Sequence, residues 1–108
     1  PRSVDLLFDV RHLPNPYFDK ELKTVPGDDP RVVAFLSKEP EVRETIARIT
    51  DLLEYLLPRY QREGKSYLNI GIGCTGGRHR SVMVTNSVQN ALKEKGFDVT
   101  AMHRDIQK

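Results

Sequence analysis

Apolar and polar residues follow different rhythms along the chain, and each rhythm points to a different element. Val4 to Val10 (VDLLFDV) is a short apolar run broken by acids, which predicts a strand. From Arg11 to Asp29 that rhythm is lost: Pro14, Pro16, Pro26 and Gly27 fall there and predict a long irregular connection over the surface. So long a connection in a small domain is more often functional than decorative. Asp29 followed by Pro30 has the form of an N-cap with proline at the first helical position, predicting a short helix to about Lys38.

The most periodic stretch starts near Pro40. Val42, Ile46, Ile49, Leu53, Leu56 and Tyr60 step by three and four, drawing one apolar stripe while Arg43, Glu44, Arg48, Asp51 and Glu54 fall elsewhere. Core packing is sufficient to explain the stripe. Pro58 lies inside it and predicts a kink or a stop near Leu57, with Gly64 closing what remains. Tyr67 to Ile72 (YLNIGI) predicts a second strand, and Gly73 to Ser81 (GCTGGRHRS) a turn. A helix to about Lys95 follows, with Val84, Val88, Ala91 and Leu92 on its buried face, Lys93 and Lys95 opposing the negative end of its dipole, and Gly96 after it. Phe97 to Met102 predicts a last strand, leading into His103, Arg104 and Asp105. The order strand, helices, strand, helix, strand predicts an α/β fold: a small single layer of mostly parallel strands flanked by helices, with right-handed crossovers.

Composition narrows the classes further. With 108 residues and 38% apolar side chains, a single domain over residues 1–108 is expected. No apolar run approaches the roughly 20 residues that span a bilayer, so no membrane partner is expected. The one cysteine cannot form an internal bridge, which suits a reducing cytoplasm. Three histidines and one cysteine show no metal-ligand spacing, and neither metal nor cofactor is expected. Charge is uneven. Residues 1–73 hold 11 basic and 12 acidic groups, whereas residues 74–108 hold 6 and 3, enough positive excess for a local anion site.

In a parallel sheet the loops after the carboxyl ends of the strands gather on one edge, where open α/β folds place ligands. Those ends deliver Asp9, Arg11 and His12 from the first strand, Cys74 to Ser81 from the second, and His103, Arg104 and Asp105 from the third. Glycines at 73, 76 and 77 let the backbone turn its N–H groups inward just before a helix N-terminus, and Arg78, His79 and Arg80 add charge and planar donors. Together Cys74, Thr75, Gly76, Gly77, Arg78, His79, Arg80 and Ser81 form an anion cradle, best suited to a phosphate. Asp9 could meet a sugar hydroxyl or amine there, or pair with Arg11 or Arg80. His12 and His103 more often serve structure than ligands.

Other patterns compete for the same residues. Gly71, Gly73 and Gly76 satisfy G-x-G-x-x-G, but the acid expected at the end of the next strand is replaced by Asp98 at its start. A Walker A loop would need Lys where Arg78 stands, which argues against nucleoside triphosphate hydrolysis by this segment. Cys74 and Arg80 also have the C-x₅-R spacing of cysteine-dependent phosphatases, with Cys74 as nucleophile and Arg80 as clamp. Those enzymes usually carry His where Gly73 stands. Asp9, Asp19 and Asp28 could each be offered as the acid, so none is specified. A structural docking domain for oligomers is a third reading.

The segments FDVRHLPNPYFD (Phe8 to Asp19), GKSYLNIGIGCTGGRHRSV (Gly64 to Val82) and HRDIQK (His103 to Lys108) strongly resemble the C-terminal domain of the bacterial RNase adapter RapZ and its YvcJ-type relatives. The resemblance runs over essentially the whole chain. It implies a fold similar to a phosphofructokinase subdomain and a non-catalytic role. It also implies binding of glucosamine-6-phosphate, contact with small regulatory RNA, direction of an endoribonuclease to that RNA, and a homo-oligomer. The family pocket matches Asp9, the turn at Cys74, Thr75, Gly76 and Gly77, and the pair His79 and Arg80; Arg78 matches a position that is often Lys. Tyr17 stands where the best-known members carry a ligand-contacting His, so the resemblance does not by itself carry over selectivity for the amino sugar. The family's upstream kinase-like domain with its Walker A loop is not among these residues, and nucleotide binding by full-length members does not transfer to them. An excised domain and a stand-alone form fit the sequence equally.

Overall fold

A computed structural model describes residues 5–14, 21–22, 24–64, 68–73 and 79–100. Five elements follow in the order β1 (Leu6–Asp9), α1 (Pro30–Ser37), α2 (Pro40–Arg62), β2 (Ile70–Gly73) and α3 (Arg80–Glu94). β1 and β2 pair in parallel, with Leu6 opposite Ile70, Phe8 opposite Ile72 and Asp9 opposite Gly73. Parallel pairing requires a crossover, and α1 and α2 supply it. The molecule is therefore a small α/β fold, as its apolar rhythm predicts. The strands are shorter than their apolar runs: the first occupies Leu6–Asp9 and the second begins at Ile70.

Side-chain alternation explains the register. Leu6 and Phe8 on β1, with Ile70 and Ile72 on β2, pack against the core, while Leu7 is 72% exposed on the other face. The buried residues form one cluster of Val10, Leu13 and Leu22 from the connection, Val32 and Leu36 from α1, Val42, Ile49 and Leu53 from α2, and Met83, Val84, Val88 and Leu92 from α3. The α2 stripe is thus core, and the buried face expected for α3 is the observed one. Ala91 is half-buried rather than buried.

Local chemistry sets the helix ends. Asp29 has extended backbone angles and its carboxylate accepts the Arg31 N–H at 2.9 Å, with Pro30 at the first helical position. Glu39 opens α2 without a side-chain cap, and Pro40 again takes the first position. α2 does not stop at Leu57: it runs through Pro58 to Arg62. A proline at 58 offers no N–H to the turn behind it. One residue on, the Arg59 guanidinium donates to the Tyr55 carbonyl at 2.7 Å and lies 3.7 Å over the Tyr55 ring. The carbonyl that loses its helical donor to this proline is that of Glu54, one position before Tyr55, and the helix continues past it with Leu53 buried beneath.

A second difference concerns Phe97 to Met102. Residues 97–100 are irregular, and Met102 lies outside the described residues. The reason is the end of α3: Gly96 has φ 93°, its N–H reaches the Lys93 carbonyl at 3.0 Å, and the Phe97 N–H reaches back to Leu92 at 3.0 Å. This six-to-one and five-to-two pair, with Phe97 packed on the core, is a Schellman cap. Phe97 is spent on ending a helix, and an apolar run that looked like a strand is used up in part by the cap.

Candidate functional site

Because β1 and β2 run in parallel, their carboxyl ends lie side by side at one edge of the sheet. Asp9 faces Gly73 in register there, and the Val10 N–H continues the ladder to the Gly73 carbonyl at 2.8 Å. The next residue in the chain is Cys74, and α3 begins at Arg80. Asp9, Arg11, His79, Arg80 and Ser81 are therefore delivered to neighbouring element ends. Cys74, Thr75, Gly76, Gly77 and Arg78, with Tyr17, Asp19, His103 and Arg104, lie outside the described residues.

Asp9 keeps a half-open carboxylate. Its Oδ1 accepts the Arg11 backbone N–H at 3.0 Å and its Oδ2 accepts the Arg11 Nε at 2.7 Å, with side-chain exposures of 49% for Asp9 and 68% for Arg11. The backbone N–H of Arg11 is the main influence that holds this carboxyl below the usual carboxylate range, with the guanidinium helping and desolvation opposing. Of the two pairings considered for Asp9, the one with Arg11 is the pairing observed. His12 turns to the helix layer, with Nε2 at 3.2 Å from Thr45 Oγ1 on α2.

His79 and Arg80 sit deeper. Each is 4% exposed, and Ser81 is buried beside them. His79 is the N-cap residue of α3 without a side-chain cap bond; its Nε2 meets the Val25 carbonyl at 2.8 Å, so that nitrogen carries the proton. Arg80 Nη1 donates to the carbonyls of Arg11 at 2.6 Å and Leu13 at 3.1 Å. Backbone acceptors leave no mark in a sequence, so neither partner set could be read from residue types. The only available signal was a general one: a buried guanidinium must be hydrogen-bonded.

Among the described residues, no group of three or more His, Cys, Asp or Glu side chains could hold a metal ion. No helix among them is long and apolar enough to cross a membrane. A shallow groove of about 400 Å³ lies between α2 and α3, lined by Ile46, Ala47, Thr50, Met83, Ser87 and Ala91 among others, and shares no residue with the sheet edge.

Parallel strands whose polar groups collect at their carboxyl ends, ahead of a helix, make this a small α/β domain. The model of the RapZ C-terminal domain matches residues 1–107, and the chain belongs to that family. It is similar to a nucleotide-binding protein of Geotalea daltonii, 51% identical over 108 residues, which covers 100% of this chain and 38% of that protein. A nucleotide-binding protein of an Anaeromyxobacter strain is 51% identical over 108 residues, covering 100% and 37%. One of Clostridium novyi is 50% identical over 106 residues, covering 98% and 36%. The chain spans little more than a third of the length of these curated relatives.

Proposed function

We propose that this domain is a non-catalytic sensor in a RapZ-like regulatory adapter: it binds a phosphorylated sugar of the glucosamine-6-phosphate kind and contacts small regulatory RNA. The observation that carries the reading is the parallel register, because it sets the half-open Asp9 carboxylate beside the strand end from which the G-C-T-G-G-R-H-R segment departs toward α3. A phosphate suits inward amides at a helix N-terminus, and a carboxylate next to them suits an ammonium or hydroxyl on the same sugar. Membership of the RapZ family supports the adapter role, in which such a domain works in the cytoplasm, directs an endoribonuclease to its RNA and assembles as a homo-oligomer. The relatives named nucleotide-binding proteins are chains more than twice as long.

Thermal unfolding with inorganic phosphate, glucose-6-phosphate and glucosamine-6-phosphate tests the ligand half. A ligand at 100 times its dissociation constant stabilises by about 2.7 kcal/mol. Indifference to all three sinks the sensor. For RNA, each phosphate contact contributes about −0.7 to the slope of log K against log salt for a single strand. An affinity flat in salt removes that half of the proposal. Turnover of an aryl phosphate that disappears in Cys74→Ser would replace the sensor with a phosphatase.

A further inference from the structure

His79 and Arg80 are consecutive and buried, and they hydrogen-bond to different stretches of the chain. His79 reaches Val25, 54 positions earlier in the chain, and Arg80 reaches Arg11 and Leu13, 69 and 67 positions earlier. These three carbonyls belong to the two ends of the connection that leaves β1. The start of α3 therefore grips that connection on both sides.

The grip on the first end bears directly on Asp9. Leu13 N–H closes a turn onto the Val10 carbonyl at 3.1 Å, and Arg11 N–H fixes Asp9 Oδ1 at 3.0 Å. Arg11 is thus held from both sides of its α-carbon, with its N–H on Asp9 and its carbonyl on Arg80. Rotating either peptide plane would break one of the two bonds. One guanidinium nitrogen bridging two carbonyls also demands a fixed donor geometry, which a lysine ammonium on a flexible stem supplies less well.

We infer that Arg80, assisted by His79, is a positioning residue: it sets the chain path from Val10 to Leu13 and thereby places the Asp9 carboxylate at the sheet edge. Its influence on ligand choice runs through the Arg11 backbone to Asp9. Which ligand is chosen rests on the reading under Proposed function; the placement of Asp9 does not.

The test is made first without ligand, by amide hydrogen exchange and by NMR titration of the Asp9 carboxyl in the wild-type chain, Arg80→Lys and Arg80→Met. In Arg80→Met the amides of Val10 and Leu13 should lose protection by about tenfold or more while that of Leu53 on α2 keeps its own. The Asp9 carboxyl should titrate closer to the ordinary carboxylate range, since among the described residues Arg11 and His12 are the charged or titratable groups that act on it. Arg80→Lys should lie between the two, and it serves as the decisive variant if Arg80→Met does not fold. Unchanged protection at Val10 and Leu13 together with an unchanged Asp9 titration overturns the inference. With ligand, the preference of Arg80→Lys for glucosamine-6-phosphate over glucose-6-phosphate should fall relative to wild type. Loss of phosphate affinity by tenfold or more with protection intact makes Arg80 an anion contact and also overturns it. If wild type binds none of these ligands, the sensor reading fails, and the exchange and titration data still decide the placement of Asp9.

Discussion

Thr50 offers the sharpest test of the packing on which the site rests. It lies on α2, 5% exposed, and among the described residues its buried Oγ1 has no hydrogen-bond partner. Thr50→Val removes that hydroxyl and keeps the shape and the β-branch, and the two residues have nearly equal helix propensity. An unsatisfied buried polar group costs about 1–3 kcal/mol, so the substitution should stabilise the chain by about 1–2 kcal/mol after small repacking losses. For a domain of about 100 residues each kcal/mol shifts Tm by about 4–8 °C, so calorimetry should show a rise of at least that size. Thr50→Ser retains the hydroxyl and loses a methyl group, and should be less stable than wild type by about 1 kcal/mol. A Thr50→Val chain equal to or less stable than wild type refutes the reasoning. It would mean that water enters the groove between α2 and α3 and satisfies the hydroxyl there. Since that groove shares no residue with the sheet edge, phosphate affinity should be the same in all three chains.

Three further outcomes follow from single contacts. Leu53→Ala, at a side chain with no exposed surface in the centre of the core, should cost about 2–5 kcal/mol in urea unfolding without changing the slope. Asp29→Ala removes the cap of α1 and should lower Tm, while Asp29→Asn should recover most of that loss because its side-chain oxygen still accepts the Arg31 N–H. Asp9 has a folded-state pKa depressed by Arg11, so its stabilising contribution is present above the ordinary carboxylate pKa and is lost as pH falls through the lower folded value. The stability difference between wild type and Asp9→Asn should therefore be constant near neutrality and shrink only in acid; a difference that grows in acid contradicts this sign.

The elements were legible where one force dominates. The α2 stripe, the Asp-Pro start of α1 and the alternation of β1 are written in side-chain types alone, because burial and capping depend on little else. Two places read differently in the fold. Pro58 predicts a kink or a stop near Leu57; α2 does not stop there but runs to Arg62, with Gly64 closing it at φ 83°. Phe97 signals a strand, yet Gly96 and the returning N–H of Phe97 turn it into a cap. The site was legible at the level of which strand ends carry polar residues. Its wiring was not, because Arg80 and His79 bond to main-chain oxygens that any residue at positions 11, 13 and 25 would present.

That wiring explains why a basic cluster beside a glycine-rich turn need not be a set of equivalent ligand groups. A guanidinium that is 4% exposed has given up its hydration, and its hydrogen bonds must take the place of that water. Such a group is retained where its geometry fixes something a flexible or apolar side chain could not. Here it fixes Arg11 from the carbonyl side while Asp9 fixes it from the amide side. A carboxylate held in this way meets an ammonium or hydroxyl without having to be ordered at the moment of binding, which lowers the entropic cost of recognition. On the inference above, selectivity among sugar phosphates depends on how the Arg11 backbone places Asp9, and substitutions at Arg80 should change the preference for an amino group.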